Sequence, residues 1–305
     1  MPRHLVPPLV AGILAAALFV FVFGLQLGFL FMFLPSLPLF YIGLGHELRH
    51  AFFSALVATV GVAAAAGAPA AILFFIFIGL PACYLARESL KWQPLQDGKR
   101  WFPIGLIFMR LTLYACVLVA LIVAFYAGQP GGLPYLLSQN IRQAFADMED
   151  TYGNAIAMLA GPLSFLVLSV AVWMWGLALF AHAWFASYLL ERQKKTLRPD
   201  FAIGPFSMPH WMLTLLLICA LASLIGSDSM RFLGKSSLIS LMLPYFLLGA
   251  ALMHKASKTW PSRRFFLGLI YIAVFTQFWP ALAISGIGVF YQIKHLSMPR
   301  SSFRR

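Results

Sequence analysis

Apolar residues run along this chain in long blocks, separated by short clusters of basic residues and one longer polar stretch. A helix needs about 20 apolar residues to cross the hydrocarbon core of a bilayer, so each block predicts a span. The first block, Leu5 to Leu44, is twice that length and must turn. Gly24-Leu25-Gln26-Leu27-Gly28 is the natural place for the turn, and Pro35 and Pro38 then remove two backbone donors and favour a break. Further spans are predicted at 49–66, 69–90, 103–126, 163–190, 209–226 and 237–254. The last apolar stretch, 265–293, is interrupted by Trp279-Pro280 and by Gly286 and Gly288, and reads either as one kinked span or as two half-spans. The fold class predicted is all-α: a polytopic membrane helix bundle of about eight spans, or nine if the last stretch is broken. It forms a single transmembrane domain over 1–295, followed by a basic tail, 296–305.

The polar segments set the orientation. Arg87, Lys91, Lys99 and Arg100 form one basic cluster, Arg192, Lys194, Lys195 and Arg198 a second, and Lys255, Lys258, Arg263 and Arg264 a third. These loops alternate with sparsely charged ones, so all three can face the cytoplasm together, with the N-terminus on the same side. The tail carries Lys294, Arg300, Arg304 and Arg305, and a cytoplasmic tail requires the final stretch to enter and return. In the longest outer loop, Leu133, Leu136, Leu137, Ile141, Phe145, Met148 and Tyr152 recur at three- and four-residue spacing. That spacing predicts an amphipathic helix lying along the membrane surface or over the bundle, as a structural lid or as a substrate gate.

Composition agrees with the pattern. Hydrophobic residues make up 61% of the 305 and charged ones 10%, against about 45–50% and 25% in soluble domains. The formal net charge of +13 would suit a nucleic-acid binder, but its distribution in short loops points to anionic lipid as the partner and to no nucleic acid. Cys83, Cys116 and Cys219 lie within apolar runs without CxxC spacing and read as small buried hydrophobes. The N-terminal apolar run continues past Phe33 without a small-residue cleavage site, so it reads as a retained span.

Three segments share an order of proline, aromatic, aliphatic and small residues: Pro38-Leu39-Phe40-Tyr41-Ile42-Gly43, Pro81-Ala82-Cys83-Tyr84-Leu85-Ala86 and Pro244-Tyr245-Phe246-Leu247-Leu248-Gly249. Proline-broken helices in repeated positions can mark a site at mid-membrane, and they also arise because membrane helices tolerate proline. With Leu80 and Arg87, Leu243 and His254, and the C-terminal Tyr271, Pro280 and Gly286 to Gly288, these segments resemble the YybS-like family of bacterial membrane proteins. That resemblance spans nearly the whole chain. It implies a distant likeness in fold to the substrate-binding components of energy-coupling-factor transporters and to MreD, and it transfers no catalytic residue.

His46-Glu47-Leu48-Arg49-His50 matches H-E-x-x-H, in which two histidines one helical turn apart share a zinc ion and the glutamate serves as base. Arg49 inside the motif and the lack of an evident third ligand favour instead a charged interfacial turn with Glu47 near a helix N-terminus. No metal or other cofactor is expected, and zinc proteolysis stands as an alternative. Among polar residues within spans, Arg110 lies about 10 Å deep, where snorkelling or pairing with Glu88 competes with an anion-binding role. His182 and Gln277 either line a polar cavity or satisfy neighbouring helices.

The functional expectation is a non-enzymatic component of a bacterial inner membrane that binds or helps to move a small solute, with Arg110, His182 and Gln277 as candidate contacts. No G-x-x-x-x-G-K-[ST] motif is present, so any ATPase would be a separate partner. An envelope or division scaffold is the alternative of a different class.

Overall fold

The structure is a computed structural model that describes residues 6–25, 31–46, 48–95, 98–146, 149–198 and 206–295. Gln26, Glu47, Asp97, Asp147, Asp200 and the tail 296–305 lie outside the described residues. The chain divides into two compact units, Met1–Ile107 with Met174–Ala202, and Phe108–Trp173 with Ile203–Arg305. Among the described residues five helices are long and apolar enough to cross a membrane, six if one sharply bent pair counts as a span.

In the first unit, α1 (Val6–Gly24) packs along the first half of α3 (Leu48–Phe74). The Ser54 hydroxyl donates to the carbonyl of Pro8 at 2.8 Å, and a β-carbon on Gly61 would meet that of Ala16 at 2.9 Å. Residue numbers rise together along both helices, so the two run parallel. The chain must therefore cross back between them, and the short α2 (Ser36–Gly45) lies in that return.

The apolar run from Leu48 to Ser89 holds 42 residues, about 63 Å if straight and twice the bilayer core. It is not straight. Gly67 has φ 85° and ψ 167°, a region open essentially to glycine alone. The chain folds back there: a β-carbon on Gly79 would lie 3.7 Å from that of Ala55, residues that a continuous helix would hold about 36 Å apart. The returning limb passes through a π-helical segment, Phe75–Gly79, into α4 (Leu80–Ser89). Pro81 has no N–H to give to the carbonyl of Phe77 one turn earlier. The indole Nε1 of Trp175 donates to that carbonyl instead, at 2.8 Å.

After α4 a two-stranded antiparallel hairpin pairs β1 (Trp92–Leu95) with β2 (Gly98–Trp101). The sequence pattern did not predict it. The Lys99 ammonium sits 4.6 Å from the Trp92 ring centroid, which ties the two strands together. Helix α5 (Ile104–Tyr126) follows, and its residues from Phe108 onward belong to the second unit.

In that unit α6 (Gly132–Ala144) is the predicted amphipathic helix, shorter than the sequence suggests. Its first turn, Gly132 and Leu133, is buried, while Tyr135 and Leu136 stay exposed. The long α7 (Glu149–Arg192) gives its residues up to Trp173 to this unit and the rest to the first. The short α8 (Trp211–Leu224) and α9 (Asp228–Ala256) pack on one another. Finally α10 (Arg263–Thr276) and α11 (Phe278–Lys294) meet at a 117° bend.

Candidate functional site

Helix α9 is specified at both ends. Ser227 caps it by accepting the Met230 N–H at 3.4 Å, Asp228 lies in its first turn, and His254 and Lys255 lie in its last. Each suits the local end of the helix dipole. Helix α11 packs against α9 through glycine. A β-carbon on Gly249 would collide with the carbonyl oxygen of Ile284, and one on Gly288 with that of Tyr245, so neither position admits a side chain.

A buried polar clamp sits at the same contact. The Tyr245 hydroxyl donates to Oε1 of Gln292 at 2.6 Å, and Nε2 of Gln292 donates to the carbonyls of Pro209 at 2.9 Å and Met208 at 3.4 Å. Tyr245 is fully buried and Gln292 nearly so, which makes each of these bonds costly to lose.

Beyond the clamp, the last turns of α9 and α11 leave a groove of about 570 Å³ between them, within the usual range for small-ligand sites. Leu252 and Lys255 line it from α9, and Ile287, Phe290, Tyr291 and Lys294 from α11. The walls are apolar, with two exposed ammonium groups among them. His295 completes the lining: its ring stacks on Tyr291 with centroids 4.1 Å apart, and its Nδ1–H donates to the Tyr291 carbonyl at 2.8 Å.

The sequence that builds α9, α10 and α11 is one-sided in charge. The sequence after Asp228 holds ten Lys or Arg residues and no Asp or Glu. Nearby, Arg263 donates to the Ser257 hydroxyl at 3.2 Å and to the His254 carbonyl at 3.4 Å, while the His254 ring meets the Tyr271 hydroxyl at 2.6 Å.

The candidates named from sequence lie elsewhere. Arg110 is exposed on α5 in the second unit. His182, in the first unit, hydrogen-bonds the Ser36 hydroxyl through Nδ1 at 3.0 Å. Gln277 is exposed at the bend between α10 and α11, its N–H donating to Ala273 O at 2.9 Å. None of the three lines the groove. Glu88 pairs with Lys91 at 2.6 Å.

At the H-E-x-x-H segment, His46 follows the end of α2 and His50 lies in the first turn of α3, with ring centroids 6.0 Å apart. Nδ1 of each is buried without a hydrogen-bond partner. Burial, then His50, then the Lys195 ammonium hold the pKa of His46 below its ordinary value, and a neighbouring cation does not favour a metal there. Among the described residues no group of three or more His, Cys, Asp and Glu side chains could hold a metal ion.

Sequence reasoning missed Lys255, Lys294 and Gln292 as a group. The first two were counted as loop and tail charges, and Gln292 was passed over in an apolar stretch. The available signals were the absence of acidic residues after Asp228 and a glutamine one turn beyond Gly288.

A family model described as "Predicted membrane protein (DUF2232)" matches residues 12–290. No curated protein and no solved structure matches the chain.

Proposed function

The chain belongs to the DUF2232 family of predicted membrane proteins, and we propose that it works in a bacterial inner membrane as a component that binds or helps to move a small amphiphilic solute. The observation that carries this reading is the groove at the ends of α9 and α11, with apolar walls and two lysines. A solute with an apolar body and an anionic group matches such a lining, because the walls bury the body while the ammonium groups fix its polar end. The resemblance to YybS-like proteins, and through them to the substrate-binding components of energy-coupling-factor transporters, supports the same reading.

Orientation follows the positive-inside rule, with the N-terminus and the three basic loops cytoplasmic. The reversal at Gly67 supports reading Leu48–Ser89 as two crossings. With the short helices as crossings too, this supports a count of about eight spans. Arg110, His182 and Gln277 remain secondary contacts to be tested beside the groove.

Native mass spectrometry of the protein released gently from detergent tests the proposal, with the double variant Lys255→Gln/Lys294→Gln and the single variants Arg110→Ala and His46→Ala beside it. A co-purifying small-molecule mass lost in the double variant is the expected result, and one lost only in Arg110→Ala moves the site to α5. A zinc mass lost in His46→Ala overturns the reading in favour of a metalloprotease. A bare mass throughout gives first place to an envelope scaffold.

A further inference from the structure

We infer that the occupant of the α9–α11 groove is an anionic phospholipid, its phosphate held between Lys255 and Lys294 and one acyl chain lying against Leu252, Ile287 and Phe290. This rests on the proposed reading of the groove as a ligand site and names the ligand's class.

Three observations point to it. The first is the distribution of polarity. Both lysines come from the last turns of their helices, and the large apolar side chains of the lining, Leu252, Ile287 and Phe290, lie one to two turns before them. A membrane lipid has the same order, with its headgroup at the interface and its chain toward the core. A soluble anion would meet the lysines and leave the apolar walls unused.

The second is charge. No carboxylate follows Asp228 in the sequence, so neither α10 nor α11 brings an acidic partner to these ammonium groups. The helix dipoles favour both ammonium groups, but backbone N–H groups already cap carbonyls at the two helix ends. Ser257 donates to Met253 O in α9, and His295 donates to Tyr291 O in α11. Basic pockets between membrane helices are recognised sites for anionic headgroups. A phosphatidylcholine headgroup would bring its own cation beside two lysines, so the lining selects against it by like-charge repulsion.

The third is rigidity. Gly249, Gly288 and the Tyr245–Gln292 clamp fix α11 on α9 directly behind the groove, so its walls are formed before any ligand arrives. Preorganised walls reduce the ordering cost of binding.

The experiment titrates delipidated, detergent-solubilised full-length protein with phosphatidylglycerol or phosphatidylcholine and reads bound lipid by native mass spectrometry. Phosphatidylglycerol should bind more tightly than phosphatidylcholine. The exposed pair Lys255→Gln/Lys294→Gln should weaken phosphatidylglycerol binding roughly thirtyfold, the product of two lysines facing an anionic headgroup. Leu252→Trp, which fills the groove and keeps both lysines, should weaken it as well. Lys235→Gln, near the other end of α9, should leave it unchanged, and millimolar inorganic phosphate should not displace the lipid.

Equal binding of the two lipids, or unchanged phosphatidylglycerol binding in the double lysine variant, overturns the inference. If phosphatidylglycerol fails these tests while a different co-purifying mass is lost in the double variant, the lipid assignment falls and the solute-binding reading stands. If no bound mass depends on the lysines, both fall.

Discussion

Arg198 is only 6% exposed, and its guanidinium donates to the carbonyls of Ser89 at 2.9 Å and Phe102 at 3.1 Å while lying 5.7 Å from the Trp101 ring centroid. It closes the C-terminal end of α4, where a cation is favourable for the helix dipole, and ties the end of the β-hairpin to it. Arg198→Ala removes a planar donor from two carbonyls at once, and should destabilise the solubilised protein by about 3 kcal/mol in a thermal or denaturant unfolding assay. Arg198→Lys keeps the charge but loses the planar group that lies over Trp101, and should recover only part of that loss. A second residue-scale expectation concerns His46. Its pKa is held down in the fold, so below about 6.5 the unfolded chain takes up a proton that the folded chain resists. Stability should therefore fall as pH drops through that value towards the lower folded pKa, and stay level above it. The melting midpoint followed from pH 8 to 5 checks this. Lys195→Gln should flatten the drop, and an equal drop in His46→Gln would assign it to another group. The sequence made the basic cluster around Arg198 legible as a loop. It could not reveal that this one residue turns inward, because the carbonyls it meets come from positions about a hundred residues earlier in the chain.

At the scale of elements, the apolar blocks read well. The boundary between the predicted spans 49–66 and 69–90 falls on Gly67, where the chain reverses. A glycine with a proline two residues later is a local signal, and the reversal is a local event. The amphipathic helix is legible for the same reason, although it ends at Ala144 and α7 begins at Glu149, within the single helix expected from the spacing. The β-hairpin was not legible. Its strands are four residues each, too short for an alternating pattern, and Lys99 over Trp92 is a contact that only the folded turn creates. The close approach of α9 and α11 was half legible: Gly286 and Gly288 were noticed as a break, while Gly288 serves as a packing face. Gly67 offers the clearest test. Alanine there must adopt φ 85° with ψ 167°, which costs about 1–3 kcal/mol, so Gly67→Ala should lower the melting midpoint or the yield of folded protein. In a variant lacking the three buried or half-buried cysteines, Ala66→Cys should react with a membrane-impermeant thiol reagent from the periplasmic side. Labelling from the cytoplasmic side alone would exclude the fold-back between two crossings.

At the scale of the molecule the open question from sequence was the side on which the C-terminus emerges, and the bend between α10 and α11 bears on it directly. Helix α11 has 17 residues, about 25 Å of rise. At 117° to the preceding helix it does not continue α10 but travels back along the α10 axis by about 11 Å. The groove makes the same point independently, since Lys294 at the end of α11 lines it together with Lys255 at the end of α9. The ends of α9 and α11 therefore share one side, the side from which α10 departs. That arrangement keeps Lys255, Lys258, Arg263, Arg264 and Lys294 together on the face that the positive-inside rule assigns to the cytoplasm. A continuous final span would instead send the basic tail across the membrane, against the same rule. A fluorescent protein fused after Arg305 should therefore fluoresce in cells, and alkaline phosphatase fused there should be inactive, matching the pair of results for fusions in the loop at Ser257–Ser262. An active phosphatase at the C-terminus with an inactive one in that loop would mean that the final stretch crosses once. The return of α11, and with it the lysine pair on the cytoplasmic side, would then have to be abandoned.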